Sequence, residues 1–332
     1  MISSRTVPTE PAAGAETGTP LPEPLRWHIE PLCSRHAPHL AGMRLWLKLH
    51  HSRRVRRVLR QKPLLRLLQA LPGGGEAVAV AVFADGTRFA FPAYDRYWAC
   101  YLMADLAYEP DVFAFLARIR DLDYAFLDCG ANFGYWSALV SGPGLGGHPA
   151  LAIEASPDTF ALLERTARLN GNRFACLRLA LVPEPVPSVR FVQGDKHQGR
   201  HILGSKPWAK DAPGTIEVPA RTLDALVAER FADARHLVIK LDVEGIETEI
   251  LEHTALLDRD DLLFIYEDHG EEADFAATRR LLDRNWEIFQ WREGRPRRII
   301  DPAELTEFGR AIEIGHNLIA APPPLARRLF AN

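Results

Sequence analysis

The chain reads as an α/β protein built on an open, mostly parallel sheet, and three observations lead there. From Asp123 onward, apolar runs of strand length alternate with amphipathic helical patterns, the order that gives parallel strands joined by helices. The first such run, AFLDC, ends in a glycine-rich turn, Asp128-Cys129-Gly130-Ala131-Asn132-Phe133-Gly134, which opens a helix. The next run, ALAIEA, ends at an acid, Glu154. Open α/β sheets bind ligands at the carboxyl ends of their strands, so both features lie where a ligand is expected.

The bulk composition sets the frame. Of 332 residues, 47% are hydrophobic and 25% charged, with a net charge of −3. That is ordinary for a globular protein and gives no general attraction to nucleic acid. Cys33, Cys100, Cys129 and Cys176 are far apart and form no CxxC pair, so neither a disulfide framework nor a zinc site is expected, and a reducing cytoplasm fits. The opening residues lack the basic start and apolar stretch of a secretory signal. No run approaches the roughly 18 apolar residues that span a bilayer.

Residues 1–25, rich in Pro, Thr, Ala and Glu, cannot bury a core and read as a disordered tail. Residues 26–75 read as a basic helical extension. No Asp or Glu occurs between Pro31 and Gly75, while nine Lys or Arg lie from Arg44 to Arg66. Leu45, Leu49, Val55, Val58 and Leu59 recur at helical spacing, which predicts one or two amphipathic helices interrupted near Pro63. Two readings stand for 44–66: a cap with a solvated charged face, or a surface for an anionic membrane or phosphorylated substrate.

Residues 76–122 hold a hairpin and a lead-in helix. AVAVAVFADGTRFAFP alternates around Asp85-Gly86, a pair suited to a tight turn, and YEPDVFAFLARIRD follows with a helical pattern. Tyr94, Tyr97, Trp98 and Tyr101 between them read as core or as a sugar platform. Residues 123–322 carry the alternating units. AFLDC, ALAIEA and FACLRLAL are strands; PDTFALLERTARLNG is a helix ending at Asn170-Gly171. HLVIKLDV and DLLFIYED are two further parallel strands, and WEIFQW and HNLIAAP are strand candidates near the end. WREGRPRR (291–298) reads as a solvated turn. Between Pro183 and Pro219 lies a Pro-rich insertion, functional or disordered. Residues 323–332 are assigned to a C-terminal tail.

The chemistry concentrates at strand ends. In D-x-G-x-N-x-G the glycines let backbone approach a ligand and close the turn, and the spacing is not the G-x-G-x-x-G of dinucleotide sites. Glu154 is placed to take two ribose hydroxyls of a nucleoside cofactor. Val238-Ile239-Lys240-Leu241-Asp242-Val243-Glu244-Gly245 is an apolar strand closing in alternating charges. A Lys240–Glu244 ion pair is one reading, but Asp242 in such a place needs partners or a task. With Glu267 and His269 at the next strand's end, Asp242 and Glu244 are expected to share one rim. They would act as acid and base around a hydroxyl, or some would hold a divalent metal, with Asp242 and Glu267 as candidate ligands. In the insertion, His197, Arg200 and His201 are either solvated or part of a substrate lid.

FLDCGANFGYWS, LAIEASPDTFALLERTARLNGN, RTLDAL and IKLDVEGIETEILEHTALL, in that order, resemble the FkbM family of S-adenosylmethionine-dependent methyltransferases. YEPDVF and NLIAAP are similar to flanking features of that family, and the resemblance runs from about Asp95 to Pro322. It implies the class I methyltransferase, Rossmann-like fold, a seven-stranded, mostly parallel sheet whose last strand is antiparallel. Here a helical N-terminal extension and a β-hairpin precede it. Carried over by position, Asp128, Gly130, Asn132 and Gly134 would wrap the methionine part of S-adenosylmethionine, with Ala131 and Phe133 of the same turn also binding the cofactor. Glu154 would bind the ribose, with Ala155 and Ser156 near the adenine. Asp242, Glu244 and Glu267 would face the acceptor, with Lys240 and His269 beside them and Asp242 as base. The implied activity is O-methylation of a sugar, glycan, glycolipid or polyketide-type hydroxyl. Two other readings stand beside it: a binding protein on the same fold without chemistry, and a methyltransferase of nucleic acid, which the near-neutral charge disfavours.

Overall fold

The computed structural model describes residues 26–51, 61–103, 107–192, 201–202, 214–243, 245–268, 275–292, 295–305 and 317–330. The chain divides into two compact units, Met1–Tyr108 and Glu109–Asn332. The expected tail at 1–25 and the basic stretch from Arg53 to Arg60, with Val55, Val58 and Leu59, lie outside the described residues.

The first unit is a three-stranded antiparallel sheet with helices. Its strands are β1 (Trp27–Pro31), β2 (Val78–Phe83) and β3 (Arg88–Pro92), in the order β1-β2-β3. The hairpin forms as its alternation predicts. Gly86 takes φ +84°, and Asp85 accepts from Thr87 through one carboxylate oxygen on N (2.9 Å) and the other on Oγ1 (3.0 Å). The extension is not all helical, because β1 adds a strand to that hairpin. It continues as α1 (Ala37–His51) and α2 (Gln61–Gln69), which pack on each other.

Two expectations for these helices change. Pro63 sits in the first turn of α2, where proline's missing N–H costs no helical hydrogen bond. The face that α1 buries is Leu40, Met43, Trp46 and Leu47, while Leu45 is 52% exposed. Helix α3 (Arg96–Leu102) starts where the Asp95 side chain accepts from Trp98 N at 2.8 Å. Tyr94, Trp98 and Tyr101 are buried, and Tyr97 packs edge-on against Trp98 and Tyr101. These rings are core.

The second unit begins with α4 (Pro110–Arg118), so the lead-in helix falls on this side of the division. Its sheet takes β4 (Ala125–Cys129), then α5 (Tyr135–Val140), β5 (Ala150–Ile153), α6 (Pro157–Leu169) and β6 (Ala175–Leu177). Helix α6 ends at Asn170-Gly171, as read, with Gly171 at φ +66°. FACLRLAL does not run as one strand. After β6 the chain changes partners, and β7 (Ala180–Leu181) joins a second sheet with β8 (Ser188–Val192), β9 (His201–Ile202) and β10 (Thr215–Arg221), ordered β7-β10-β8-β9. Part of the Pro-rich insertion is thus ordered strand, held by buried Ala180, Phe191 and Val218. Then come α7 (Leu223–Arg230), β11 (Leu237–Leu241), α8 (Glu247–His253), β12 (Leu262–Glu267), α9 (Ala276–Asp283), β13 (Glu287–Arg292), β14 (Arg295–Ile299), β15 (Asn317–Ala321) and α10 (Pro323–Phe330).

The large sheet runs β14-β13-β15-β12-β11-β4-β5-β6. Neighbours from β6 through β12 are parallel, and β15 runs antiparallel to both β12 and β13. This is the class I methyltransferase arrangement, with the reversed last strand inserted between its neighbours. Among the described residues an eighth strand extends the edge: β14 pairs antiparallel with β13, so WREGRPRR is largely strand where a turn was read. The C-terminal residues form α10, anchored by buried Leu325, Ala326 and Phe330.

Why the strands are apolar runs follows from their place. Every residue of β4, β11 and β15 is buried, as inner strands of a sheet covered on both faces require. Truncating Leu127 or Ile239, both fully buried, would cost about 2–5 kcal/mol. The chain moves outward from β4 to β6, then returns to place β11 on the other side of β4. The β4–β11 seam is therefore the topological switch point, where such sheets bind ligands. Among the described residues no helix is long and apolar enough to cross a membrane.

Candidate active site

At the end of β4 the backbone turns through three left-handed residues, Gly130 (φ +81°), Asn132 (φ +53°) and Gly134 (φ +87°). Asparagine tolerates that region better than other side chains, and Asn132 Oδ1 accepts from Phe133 N at 2.8 Å. At Gly130 a methyl would collide with the carbonyl oxygen of Asp242, and at Gly134 it would press on Leu163 Cδ1. The turn is tied to the next strand: Gly130 N and Ala131 N both donate to Ile153 O, at 3.1 and 2.8 Å.

Glu154, one residue past β5, completes that tie. Its Oε2 accepts from Asn132 N (3.2 Å) and its Oε1 from Ser156 N (2.8 Å). Both oxygens are fixed by backbone, and a carboxylate oxygen accepts more than one hydrogen bond. The group is therefore preoriented for two adjacent hydroxyls. Ser156 is fully buried, and half-buried Ala155 packs on the core of the smaller sheet. Phe133 and Ala131 are buried beneath the turn.

Asp128 lies on β4 directly opposite Lys240 on β11. Its Oδ2 accepts from Ser137 N (3.1 Å) and Ser137 Oγ (2.6 Å). Burial pushes its carboxyl up to about 6, with Asp242 adding to the rise and Lys240 and Ser137 opposing it. Lys240 Nζ donates to Asp242 Oδ2 at 2.6 Å. Burial works against the ammonium, but Asp242, Glu109, Asp128 and Glu267 outweigh it and hold Lys240 well above its ordinary value. Lys240 is charged at neutral pH, and its partner is Asp242, the residue that follows β11.

The rim that forms differs from the expected one. Glu109, Asp242 and Glu267 each present a carboxylate oxygen within 4.8 Å of the others. Asp242 and Glu267 were expected together; Glu109 was not. Its Oε2 accepts from Trp136 Nε1 at 2.6 Å, and its backbone takes the left-handed φ of +41° just before Pro110. Asp111 lies nearby, and burial first, then Glu109, push its carboxyl up to about 6, against a hydrogen bond from the Asn317 side chain. Asp268 turns to other work: its Oδ2 accepts from Thr278 N (2.9 Å) and Oγ1 (2.8 Å), fixing the start of α9. The loop after β11 is held by buried Glu247, whose two oxygens accept from Val243 N (2.8 Å) and Gly245 N (3.0 Å).

Glu244, His269, His197 and Arg200 lie outside the described residues. His201 is placed by its backbone on β9, opposite Val192, in the smaller sheet. Glu109, Trp136, Ser137, Glu247 and Asn317 make contacts around this rim and turn that the sequence reading did not assign. The signals for Glu109 and Asn317 lay in YEPDVF and NLIAAP.

Residues 128–289 match a family model described as the methyltransferase FkbM domain. Among solved structures, the chain is similar to an FkbM methyltransferase from Methylobacillus flagellatus KT at 16% identity and a TM-score of 0.39, covering 60% of this chain and 43% of that one. It is also similar to a precorrin-6y C5,15-methyltransferase from Geobacter metallireducens GS-15, at 11% identity and a TM-score of 0.35 over 64% and 87% of the two chains. A third is P. horikoshii TYW2 in complex with MeSAdo, at 13% identity and a TM-score of 0.37 over 78% and 81%. No curated protein matches the chain.

Proposed function

Given that residues 128–289 match the model of the methyltransferase FkbM domain, we propose that the chain methylates a hydroxyl of a sugar, glycan, glycolipid or polyketide-type acceptor from S-adenosylmethionine. The observation that carries this reading is the charged rim of Lys240, Asp242, Glu109 and Glu267 at the switch point, next to the Asp128–Gly134 turn. The fit of the cofactor rests on two features of that turn. Glu154 offers a fixed pair of acceptors for a ribose diol, and Asp128 is a buried anion beside the glycine turn, suited to an ammonium.

The cofactor supplies a sulfonium-bound methyl group already activated toward an oxygen nucleophile. What remains for the protein is alignment of that oxygen and removal of its proton. Asp242 takes the hydroxyl proton. Lys240 fixes Asp242 Oδ2 by its hydrogen bond, and as a charged group it is a positioning residue and not the base. Glu109 and Glu267 face the same acceptor oxygen. An alcohol needs a base far more than an amine does, so a rim of carboxylates favours O-methylation. Asp128, Asn132 and Glu154 hold the donor.

A glycolipid acceptor has a further observation behind it. Basic, exposed Arg44 and Lys48 on α1 and Arg66 on α2 accompany exposed Leu45, Leu67 and Leu71, the combination that rests on an anionic membrane surface. The test of the proposal is incubation with methyl-labelled S-adenosylmethionine and a panel of free sugars, glycolipids and polyketide alcohols. The expected product is a base-stable methyl ether. Labelling of amine or nucleic-acid acceptors alone would overturn the hydroxyl assignment.

A further inference from the structure

Three carboxylates from separate parts of the second unit meet at one point. Glu109 precedes α4, Asp242 follows β11, and Glu267 ends β12, yet each brings an oxygen within 4.8 Å of the other two. In a six-coordinate site with metal–oxygen distances of about 2.1–2.4 Å, neighbouring ligand oxygens are about 3.0–3.4 Å apart and opposite ones about 4.2–4.8 Å. The 4.8 Å bound on their separations is compatible with that geometry.

A second observation points to a ligand. Asn317, the first residue of β15, is 3% exposed and stands directly opposite Glu267 in the antiparallel pairing. Directly opposed residues send their side chains to the same face of a sheet. The Asn317 side chain hydrogen-bonds the Asp111 carboxylate, which only its amide nitrogen can do, since an ionised carboxylate donates nothing. The amide oxygen therefore points away from Asp111, and it has no hydrogen-bond partner among the described residues. A buried acceptor left in this state is costly unless a donor or cation reaches it.

We propose that Glu109, Asp242 and Glu267, with the Asn317 amide oxygen, bind a hard divalent cation such as magnesium or manganese. The ligand set is all oxygen, with no imidazole or thiolate, the set that selects magnesium, manganese or calcium over zinc or copper. Lys240 keeps its bond to Asp242 Oδ2, whose second lone pair still takes the acceptor's proton, and leaves Oδ1 for the ion. The remaining positions on the ion take a pair of adjacent hydroxyls, which makes a vicinal diol, as in a sugar ring, the acceptor class. Only this last step rests on the methyl-transfer reading; the ion site stands on the residues alone.

The test titrates the full chain with manganese and follows bound ion by paramagnetic resonance, with S-adenosylmethionine titrated separately on the same preparations. Wild type is expected to bind manganese below millimolar concentration, with magnesium competing. Glu109→Gln and Glu267→Gln should weaken manganese binding by at least about tenfold and Asn317→Ala by less. All three should keep their affinity for S-adenosylmethionine, which reports that they fold. Lack of manganese binding at millimolar concentration would overturn the proposal, as would equal binding by wild type and Glu109→Gln. Loss of S-adenosylmethionine binding by wild type, with manganese still bound, would instead sink the methyl-transfer reading and leave the ion site standing.

Discussion

Gly130 and Asp242 touch backbone to backbone: the space that a Cβ at Gly130 would fill is occupied by the Asp242 carbonyl oxygen. Asp242 N also donates to Cys129 O at 3.1 Å. The glycine turn after β4 and the acid after β11 are thus one joint, which under the proposed function couples the donor side of the site to its acceptor side.

Gly130→Ala should break this joint. The φ of +81° alone costs a side chain roughly 1–2 kcal/mol, and the collision with backbone has no flexible partner to yield. We expect a lower unfolding temperature and weaker cofactor binding together. A Gly130→Ala protein as stable as wild type would show that the turn relaxes freely.

Asp128 carries a pH dependence whose sign is determined by its environment. Its folded carboxyl is raised from 3.8 to about 6, so between those values the folded state holds the proton more tightly than the unfolded one. Its contribution to stability is greatest below the unfolded value and is lost as pH rises toward about 6, by the linkage between proton binding and folding. Asp128→Asn should therefore gain stability relative to wild type across that window. Cofactor affinity, which needs the ionised carboxylate, should fall as the pH drops through it. Calorimetry at several pH values checks both, and an affinity flat across that range would remove Asp128 from the cofactor's ammonium.

The Lys240–Asp242 pair separates binding from turnover. Asp242→Asn should leave cofactor affinity within a few-fold and cut turnover by roughly 10²–10⁴. Lys240→Met leaves buried carboxylates without their ammonium, and breaking a buried pair from one side costs about 3–5 kcal/mol. Thermal unfolding should therefore find Lys240→Met the less stable of the two variants. Full activity in Asp242→Asn would move the base to Glu109 or Glu267.

Much of the site was legible because its parts are contiguous in the chain. The turn from Asp128 to Gly134, Glu154 at the next strand's end, and the Lys240–Asp242 pair each occupy a few residues at a strand–helix junction, where apolar runs give way to polar ones. Glu109 was not legible: it reaches the rim from a helix start far away in sequence, and only the packed fold brings it to Trp136 and Asp242. The same holds for Asn317, delivered by the antiparallel last strand. The buried face of α1 was misread because a leucine-rich helix offers two stripes, and tertiary packing chose the one with Met43 and Trp46 over Leu45. FACLRLAL was read as one strand because periodicity records extended backbone and not the partner it pairs with.

The function proposed for the site depends on S-adenosylmethionine binding at Glu154 and the turn it holds. Calorimetric titration of the full chain with S-adenosylmethionine, beside NAD and a Glu154→Ala variant, measures this. The expected result is saturable binding of the methyl donor, no binding of NAD, and marked weakening in Glu154→Ala, which loses the carboxylate that Asn132 N and Ser156 N hold in place. Wild-type protein that does not bind the methyl donor, or a Glu154→Ala protein that binds it equally well, would remove the cofactor from this site.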